Sequence, residues 1–321
     1  MMRDDGAARP VLVVGDANVD LVLAGDVVPR FGQAEQLLDR AELVLGGSAS
    51  IVACGAARLE VPTTLVARVG RDAFGEVVLD ALRERGVDLH DVVIDDSVAT
   101  GISVILSGPD DRAILTSLGT IPTLSARDVV ARLNAWDGPP GVLHVASYFL
   151  QPRLAEELPQ VFEHARRRGW TTALDTNWDP AEEWSGVGDL LPHLDVLLPN
   201  RSELRALARA LGSDAESDEE GARRIARRGP RVVVKDGARG GWSVTGTGDV
   251  HRAPGIAVDV VDTTGAGDSF DAGYLAALAH DIGDEGARLR WAAACGSLST
   301  TGSGGTSAQA SLTELRAAMS A

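Results

Sequence analysis

The chain has 321 residues, of which 45% are hydrophobic and only 4% aromatic, so it can bury a large core built mainly from aliphatic side chains. Its 46 acidic and 30 basic residues give a net charge of −16, which argues against binding to nucleic acid or to an anionic membrane surface. The polar N-terminus and the absence of a long uncharged apolar run lead us to expect a cytoplasmic protein without a membrane span.

Strands and helices alternate along most of the chain. The pattern predicts strands over residues 11–15, 63–69, 142–146, 171–174, 196–198 and 232–234. It predicts helices over residues 48–59, 74–85, 152–168, 201–211, 264–280, 285–300 and 311–319. Such alternation is typical of a mostly parallel sheet with helices on both faces. We therefore interpret residues 1–321 as a single α/β domain.

Two pairs of segments interrupt this alternation. Residues 19–23 with 42–45, and residues 101–106 with 113–118, alternate polar and apolar side chains as half-exposed strands do. A turn over residues 107–111 joins the second pair. We predict that segments 17–45 and 97–120 form one small antiparallel β lid, which would exclude water from a site beneath it. The exposed edges of such a lid also make a homodimer through the lid an open expectation.

The lysine and cysteine content excludes some kinds of site. Lys235 is the only lysine of the chain, and it ends a predicted strand rather than following a glycine at a helix start, so a P-loop is excluded. Cys54 and Cys295 lie in alanine-rich apolar surroundings and are predicted to be buried thiols. The six histidines are not spaced as metal ligands.

The most informative segment is residues 262–270, Asp-Thr-Thr-Gly-Ala-Gly-Asp-Ser-Phe, which leads into an apolar helical pattern. A glycine-rich turn at a helix start leaves backbone N–H groups unpaired and favours a bound phosphate. The carboxylate of Asp268 would repel that phosphate unless it served a second substrate. Phosphoryl transfer accounts for both features, because the amides would hold the transferring group while Asp268 accepts the proton of an attacking hydroxyl. A plain tight turn with an acidic first-turn residue is the alternative.

Segment 262–270 resembles the C-terminal signature of the ribokinase-like carbohydrate kinases, the PfkB family, and the resemblance extends over about residues 10–318. It implies a ribokinase-like fold with a lid over a sugar site, ATP as phosphoryl donor and a sugar as acceptor. In this family the last aspartate of the string is the catalytic base, which corresponds to Asp268. The anion hole would be formed by the amides of Gly265, Ala266 and Gly267.

The acceptor side is predicted after the first strand, at the sheet edge where open α/β folds bind ligands. Asn18 and Asp20 offer a donor and several acceptors, which suits vicinal hydroxyls, and the matching family residues contact the sugar. Asx-turn residues are the alternative. Gly46 and Gly47 match the double glycine of the family, where the backbone approaches the sugar closely.

The chain departs from the family pattern at several positions. Ile51 stands where the family usually has Asn, and Ser48 stands where ribokinases have Lys. Both changes weaken the expected grip on ribose. They count still more against a phosphorylated sugar, which would need a cation such as Arg112 of the lid, predicted here to be solvated. In the string Asp-x-Asn-x-Arg that begins at Asp175, Asp179 replaces the arginine.

The nucleotide side rests on two further motifs of the family. Asn200 and Glu203 match its Asn-x-x-Glu motif and would order waters around Mg²⁺ from the first turn of a helix. A helix cap is the alternative. The loop that lines the nucleotide in the family corresponds to Lys235, Gly237 and Gly240.

A monovalent cation is the remaining expectation from the resemblance. Asp262 and Thr264 match positions that commonly help to hold K⁺ beside the nucleotide.

The function predicted from the sequence is ATP-dependent phosphorylation of a hydroxymethyl group of a sugar or sugar-like acceptor. A nucleoside kinase is one alternative, although it would need aromatic or apolar lid contacts for the base. A sugar-sensing protein with a decayed kinase site is another, which the departures at Ile51 and Asp179 leave open. The intact string 262–270 counts against the sensor. The sequence leaves the identity of the acceptor open.

Overall fold

The structure is a computed structural model, and it describes residues 7–108 and 112–320. Within these ranges the strands are β1 (Val11–Val14), β2 (Asn18–Ala24), β3 (Arg40–Gly46), β4 (Thr63–Gly70), β5 (Val92–Asp95), β6 (Gly101–Ser107), β7 (Arg112–Ser117), β8 (Val142–Val145), β9 (Thr171–Leu174), β10 (Val196–Leu197), β11 (Arg231–Lys235), β12 (Gly241–Val244) and β13 (Val250–Ala253). The α-helices are α1 (Ser48–Arg58), α2 (Ala73–Glu84), α3 (Ala126–Ala135), α4 (Pro152–Ala155), α5 (Leu158–Arg167), α6 (Val187–Leu190), α7 (Arg201–Ala210), α8 (Asp218–Ala226), α9 (Ala266–Ala279), α10 (Glu285–Ser299) and α11 (Leu312–Ser320). No helix in the described part of the chain has the length and apolar character needed to cross a bilayer.

The central sheet has the strand order β13-β12-β11-β10-β9-β8-β1-β4-β5. Strands β5, β4, β1, β8, β9, β10 and β11 pair in parallel, whereas β12 and β13 add an antiparallel edge. Parallel neighbours require long crossovers, and in this chain most crossovers contain helices. The prediction of a mostly parallel sheet covered on both faces is confirmed.

Two hydrophobic cores lie on opposite faces of this sheet, as the alternation of side chains along β1 illustrates. Val11 and Val13 belong to the core formed with α1, α9 and α10. Leu12 and Val14 belong to the core formed with α3, α5 and α7. Because successive side chains of a strand point to opposite faces, a fully buried strand joins both cores.

The lid is a second sheet with the order β3-β2-β6-β7. Its outer pairs, β2 with β3 and β6 with β7, are antiparallel as predicted, but its inner pair, β2 with β6, is parallel. The physical reason is the long connection between β2 and β6, which carries α1 and α2 and returns the chain in the same direction. The predicted turn over residues 107–111 lies partly outside the described residues.

Several element boundaries differ from the predicted ones. The predicted helix over residues 152–168 is two helices, α4 and α5, because a proline in the first turn of α5 starts a new helix. Helix α9 begins at Ala266 rather than at Thr264, because Gly265 adopts a left-handed conformation with φ of 71°. Strands β5, β12 and β13 and helices α3, α6 and α8 were not predicted.

Candidate active site

The turn before α9, which we call the anion turn (residues 263–268), is shaped by Gly265. A Cβ atom at Gly265 would lie 2.6 Å from the Cα of Gly305, so the left-handed residue must be glycine. The first hydrogen bond of the helix runs from the Ser269 N–H to the Gly265 carbonyl at 2.8 Å. The N–H groups of Gly267 and Asp268 precede it, in the turn where a helix has no internal acceptors.

The amides expected in the anion hole are not equivalent in the structure. The Ala266 N–H donates a long hydrogen bond of 3.3 Å to the Thr263 carbonyl, so it is partly engaged. The Asp268 N–H, which the sequence analysis did not include, lies in the same helical turn as the Gly267 N–H. The anion turn therefore has the backbone geometry of a phosphate site at a helix N-terminus.

Asp268 is half-buried in the first turn of α9, and its carboxylate accepts a hydrogen bond from the Ser48 hydroxyl. Asn177 Nδ2 in turn donates to Ser48 Oγ at 3.1 Å. Burial raises the pKa of Asp268 to about 7, and the hydrogen bond from Ser48 and the charge of Lys235 counteract part of that rise. A carboxyl group that titrates near neutral pH is well suited to general-base catalysis.

Ser48 reaches Asp268 because Asp16 holds the start of α1. The Oδ2 atom of Asp16 accepts from the Ser48 N–H at 3.1 Å, and Oδ1 accepts from the Ala49 N–H at 3.0 Å. Asp16 is buried directly after β1, so these bonds tie the end of that strand to the helix. Neither Asp16 nor the contact of Ser48 was predicted from the sequence; the available signal was a carboxylate after the glycine that ends the first strand.

The four predicted acceptor residues lie together where the central sheet meets the lid. Asn18 and Asp20 are buried at the start of β2, and Asn18 Nδ2 donates to Asp20 Oδ1 at 3.0 Å. A Cβ atom at Gly46 would lie 2.1 Å from Asp20 Oδ1, and one at Gly47 would lie 2.9 Å from Asn18 Oδ1. The double glycine therefore makes room for these two polar side chains. Burial raises the pKa of Asp20 to about 7.

A cleft of about 500 Å³ opens on the other side of the anion turn. Its wall includes Lys235, Gly237 and Gly240 from the loop after β11, and Ala266 and Gly267 from α9. The opposite wall, which was not predicted from the sequence, is mainly apolar and includes Ile256, Val258, Val260, Phe270 and Ala293. A largely apolar slot that ends at helix N–H groups suits a heterocycle attached to phosphates.

Asp262 joins the anion turn to the loop that precedes α11. Its Oδ1 accepts from the Thr264 N–H at 2.8 Å, and its Oδ2 accepts from the Gly304 N–H at 2.8 Å. Although burial alone would raise it, these donors hold the pKa of Asp262 below its usual value. Each oxygen keeps further acceptor capacity, so the residues are compatible with a cation coordinated by oxygen atoms.

The lid also contacts the anion turn. Arg112 Nη1, at the start of β7, donates a hydrogen bond of 3.0 Å to Thr264 Oγ1. Arg112 is exposed to solvent, as expected, and its guanidinium group also contacts the turn.

Asn200 and Glu203 form a capping box at the start of α7. Asn200 Oδ1 accepts from the N–H groups of Ser202 and Glu203 at 2.9 and 3.0 Å, and Glu203 Oε2 accepts from the Asn200 N–H at 2.7 Å. Burial, assisted by the charge of Asp175, raises the pKa of Glu203 to about 7. Within the described residues, no group of three or more His, Cys, Asp or Glu side chains is arranged to hold a metal. A Mg²⁺ ion here would therefore take most ligands from phosphates and water, as Mg²⁺ commonly does.

Two departures from the family pattern acquire a structural explanation. The Asp179 carboxylate accepts from the N–H groups of Ala181, Glu183 and Trp184, so it organises its own loop. The Ile51 side chain packs against Gly305, where a Cβ atom would lie 2.5 Å from Ile51 Cδ1. Ile51 thus supports the loop behind the anion turn.

Comparison with known proteins agrees with this arrangement. Residues 8–311 match the model of the pfkB family carbohydrate kinases. The chain is 32% identical over 307 residues to the ATP-dependent ribose-1-phosphate kinase of Halopiger xanaduensis, covering 93% of this chain and 94% of that protein. It is 30% identical over 308 residues to the fructokinase of Klebsiella pneumoniae, covering 92% and 94%.

A solved structure extends the similarity to the fold. Arabidopsis thaliana ribokinase complexed with ribose and ATP superposes with a TM-score of 0.81 at 26% identity, over 97% of this chain and 99% of that one. The expected ribokinase-like fold with its lid is confirmed. The chain belongs to the pfkB family of carbohydrate kinases and is a phosphotransferase with an alcohol group as acceptor.

Proposed function

We propose that the protein transfers the γ-phosphoryl group of ATP to a hydroxymethyl group of a sugar or sugar-like acceptor, with Asp268 as the general base. The observation that carries the proposal is the position of Asp268 at the junction of three features. The anion turn contains it, the polar cluster of Asn18 and Asp20 lies on the lid side, and the apolar cleft opens on the other side. Such a junction suits transfer from a nucleotide to a hydroxyl.

The residues of the site then have distinct tasks. Asp268 accepts the proton of the acceptor hydroxyl as its oxygen bonds to the γ-phosphorus and the bond from that phosphorus to ADP breaks. Because such transition states are loose, the proton can move late, and a modest base suffices. The N–H groups of the anion turn, from Gly265 to Asp268, stabilise the charge on the transferring group. The lid keeps water, a competing acceptor, away from the reaction.

The composition of the lid favours a sugar over a nucleoside as acceptor. Asn18 and Asp20 present both a donor and acceptors for hydroxyl groups. Within their described residues, the four lid strands contain no aromatic side chain that could stack on a nucleobase. The curated relatives named above include kinases of ribose 1-phosphate and of fructose, which agrees with a sugar acceptor.

We also propose how this chain uses metal ions. Mg²⁺, when bound, neutralises phosphate charge, and we infer that Asn200 and Glu203 orient its water ligands from the start of α7. Asp262 and Thr264 would hold K⁺ behind the anion turn, where the Asp262 carboxylate already fixes the backbone. Titrating Mg²⁺ and K⁺ separately during turnover tests both assignments.

The lid further supports a homodimer. Strands β3 and β7 are the edges of its sheet, and every residue of β7 is exposed, including Ile114 and Leu115 at 54% and 59%. An exposed apolar edge strand is a ready site for pairing with a second copy. Sedimentation of the wild type and of Leu115→Lys tests this: a dimer that the substitution dissociates supports it, and a wild-type monomer at all concentrations refutes it.

The function itself is tested by ATP turnover with Mg²⁺ and K⁺ over a panel of pentoses, hexoses, keto-deoxy sugar acids, phosphosugars and nucleosides. We expect one acceptor class to be phosphorylated, and we expect Asp268→Asn to lower its kcat by about 10²–10⁴-fold while ATP still binds. Turnover that survives the substitution would remove Asp268 as the base. If no acceptor is phosphorylated but a sugar raises the melting temperature, the sensor alternative replaces the kinase.

A further inference from the structure

The only lysine of the chain is buried in a cluster of carboxyl groups behind the anion turn. Lys235 Nζ donates hydrogen bonds to Asp175 Oδ2 at 2.5 Å and to Asp271 Oδ2 at 3.0 Å. Asp175 and Asp271 are almost completely buried, at 1% and 0% exposure. An ammonium group has three donors, so two of those of Lys235 serve carboxylates rather than a nucleotide.

The position of this side chain links it to the anion turn. The Cδ, Cε and Nζ atoms of Lys235 lie 3.6, 3.8 and 3.8 Å from the point where a Cβ atom of Gly267 would be. Lys235 therefore runs along the first turn of α9. Both residues also line the nucleotide cleft, so the ammonium lies close to the place proposed for the transferring phosphate.

The surrounding groups are mainly acidic, and they come from several elements. Asp175 follows β9, Asp268 and Asp271 lie on α9, Glu203 lies on α7 and Asp16 follows β1. His144 of β8 also faces the cluster, but burial lowers its pKa to about 4, so it is neutral at pH 7. A phosphate can enter such surroundings only if a nearby positive charge offsets the carboxylates.

The ammonium group of Lys235 provides this positive charge, and it acts on the carboxyl groups around it. Burial raises the pKa of Asp268 to about 7, and the Lys235 charge opposes that rise. Although burial alone would lower it, the charges of Asp175 and Asp271 raise the pKa of Lys235. The ammonium therefore stays protonated throughout the physiological range.

We propose that Lys235 is a positioning residue of the reaction: held by Asp175 and Asp271, its ammonium favours the ionised form of Asp268 and offsets the acidic cluster so that an anionic phosphoryl group can bind at the anion turn. The inference rests on the proposed function, in which Asp268 is the base. It adds a role to the predicted place of Lys235 in the loop that lines the nucleotide, because its ammonium is bound by carboxylates in the cluster.

A charge-balanced pair of substitutions separates this role from a structural one. Lys235→Met alone removes the positive charge and leaves buried carboxylates uncompensated, which also threatens folding. Asp175→Asn removes a negative charge that raises the pKa of Asp268, so the double variant Lys235→Met/Asp175→Asn restores the balance. Lys235→Arg keeps the positive charge and serves as a further control.

The experiment is the pH dependence of kcat/KM for the accepted sugar, measured for each of these variants at saturating ATP. We expect Lys235→Met to move the acidic limb upward by about one pH unit and Asp175→Asn to move it downward. The double variant should return it close to the wild-type position, and Lys235→Arg should leave it there. An unshifted limb in Lys235→Met, or a double variant that stays as shifted as the single one, overturns the proposal.

A second measurement works without turnover. ATP binding, measured by calorimetry without acceptor, should weaken in Lys235→Met and recover in the double variant, because the charge balance governs entry of the anion. If the wild type phosphorylates nothing, the proposed function fails while this titration still tests the charge role. If Lys235→Met does not fold, the double variant and Lys235→Arg still test the proposal. A double variant that binds ATP far more weakly than the wild type overturns it.

Discussion

The hydroxyl of Ser48 donates a hydrogen bond to the carboxylate of Asp268 and so joins the start of α1 to the start of α9, 220 positions later. Asn177, whose φ of 53° is unusual for a residue other than glycine, donates to Ser48 Oγ, and its own Oδ1 accepts from the Ser147 N–H at 2.8 Å. A relay of polar groups thus runs from the end of β8 to the proposed base. It fixes the rotamer of Asp268 before an acceptor arrives.

We expect Ser48→Ala to shift the pH dependence of activity. The hydrogen bond from Ser48 lowers the pKa of Asp268, which burial has raised to about 7, so its loss should raise that pKa further. The base must be ionised to accept a proton, and the acidic limb of kcat should therefore move upward by about half to one pH unit. Initial rates between pH 5.5 and 9 measure the shift.

Ser50→Ala is the matched control, because Ser50 lies on the same helix but donates to the Asp16 carbonyl instead. Its acidic limb should coincide with that of the wild type. An equal shift in both variants would assign the effect to helix α1 as a whole, and no shift in Ser48→Ala would show that the hydroxyl does not set the protonation of the base.

Asp268→Asn should stabilise the fold, and the gain should depend on pH. The folded-state pKa of Asp268 is raised above the ordinary value of 3.8 to about 7, so ionising it opposes folding. The stability that the protonated Asp268 carboxyl gives the folded protein is complete below pH 3.8 and is lost as the pH rises to about 7. The variant should therefore unfold like the wild type near pH 3.5 but gain about 1–3 kcal/mol at pH 8.

Urea unfolding at several pH values measures this gain. Asp137→Asn changes an exposed loop residue and should show no gain that grows with pH. If Asp268→Asn is equally or less stable than the wild type at pH 8, the carboxylate is not destabilised by burial, and its assignment as a base with a raised pKa is wrong.

Gly46→Ala should damage acceptor binding selectively. The new methyl group would lie 2.1 Å from Asp20 Oδ1, so the carboxylate must move. Such overpacking costs about 1–3 kcal/mol, which corresponds to a loss of about ten- to hundredfold in kcat/KM for the acceptor. ATP affinity should stay unchanged, because the nucleotide cleft lies on the other side of the anion turn.

Gly283→Ala is the control for that substitution, since a Cβ atom there meets nothing within 4 Å. It should retain the kinetic constants of the wild type. A Gly46→Ala enzyme with an unchanged KM for every acceptor would show that Asp20 does not bind the substrate.

The sequence predicted those parts of the fold and the site that depend on local chemistry. Segment 262–270 contains the glycines, the helix start and the carboxylate of the site within nine residues, so the anion turn could be located from the sequence. Asn18, Asp20 and the double glycine also lie together as the sequence predicted, whereas their contact with an acceptor stays a prediction.

Contacts that depend on the packing of distant segments could not be predicted from local sequence patterns. Asp271 reaches Lys235 only because α9 packs beside β11, and Ser48 reaches Asp268 only because Asp16 anchors α1. The parallel pairing of β2 with β6 likewise depends on the path of the intervening chain. The role of Asp179 was also out of reach, since its carboxylate accepts hydrogen bonds from the backbone of its own loop.

A second buried polar network, remote from the anion turn, should govern stability without affecting catalysis. Glu285 at the start of α10 accepts from Tyr274 Oη at 3.0 Å, from Ser243 Oγ at 2.8 Å and from Arg231 Nη1 at 2.5 Å. Removing the carboxylate in Glu285→Ala leaves these donors unpaired, and we expect a loss of about 3 kcal/mol in the free energy of unfolding. Tyr274→Phe removes a single donor and should cost about 1 kcal/mol.

Urea unfolding followed by tryptophan fluorescence distinguishes these effects from a general loss of charge. Glu84→Ala, which changes an exposed glutamate near the end of α2, should remain within about 0.5 kcal/mol of the wild type. The kcat and KM of all three variants should match the wild type below their unfolding transitions, because Tyr274 lies six residues beyond Asp268 on α9 and its hydroxyl contacts Glu285 of α10 rather than a residue of the site. A Glu285→Ala protein as stable as Glu84→Ala would show that the network contributes specificity of packing rather than stability, and a fall in kcat without unfolding would connect this network to the site.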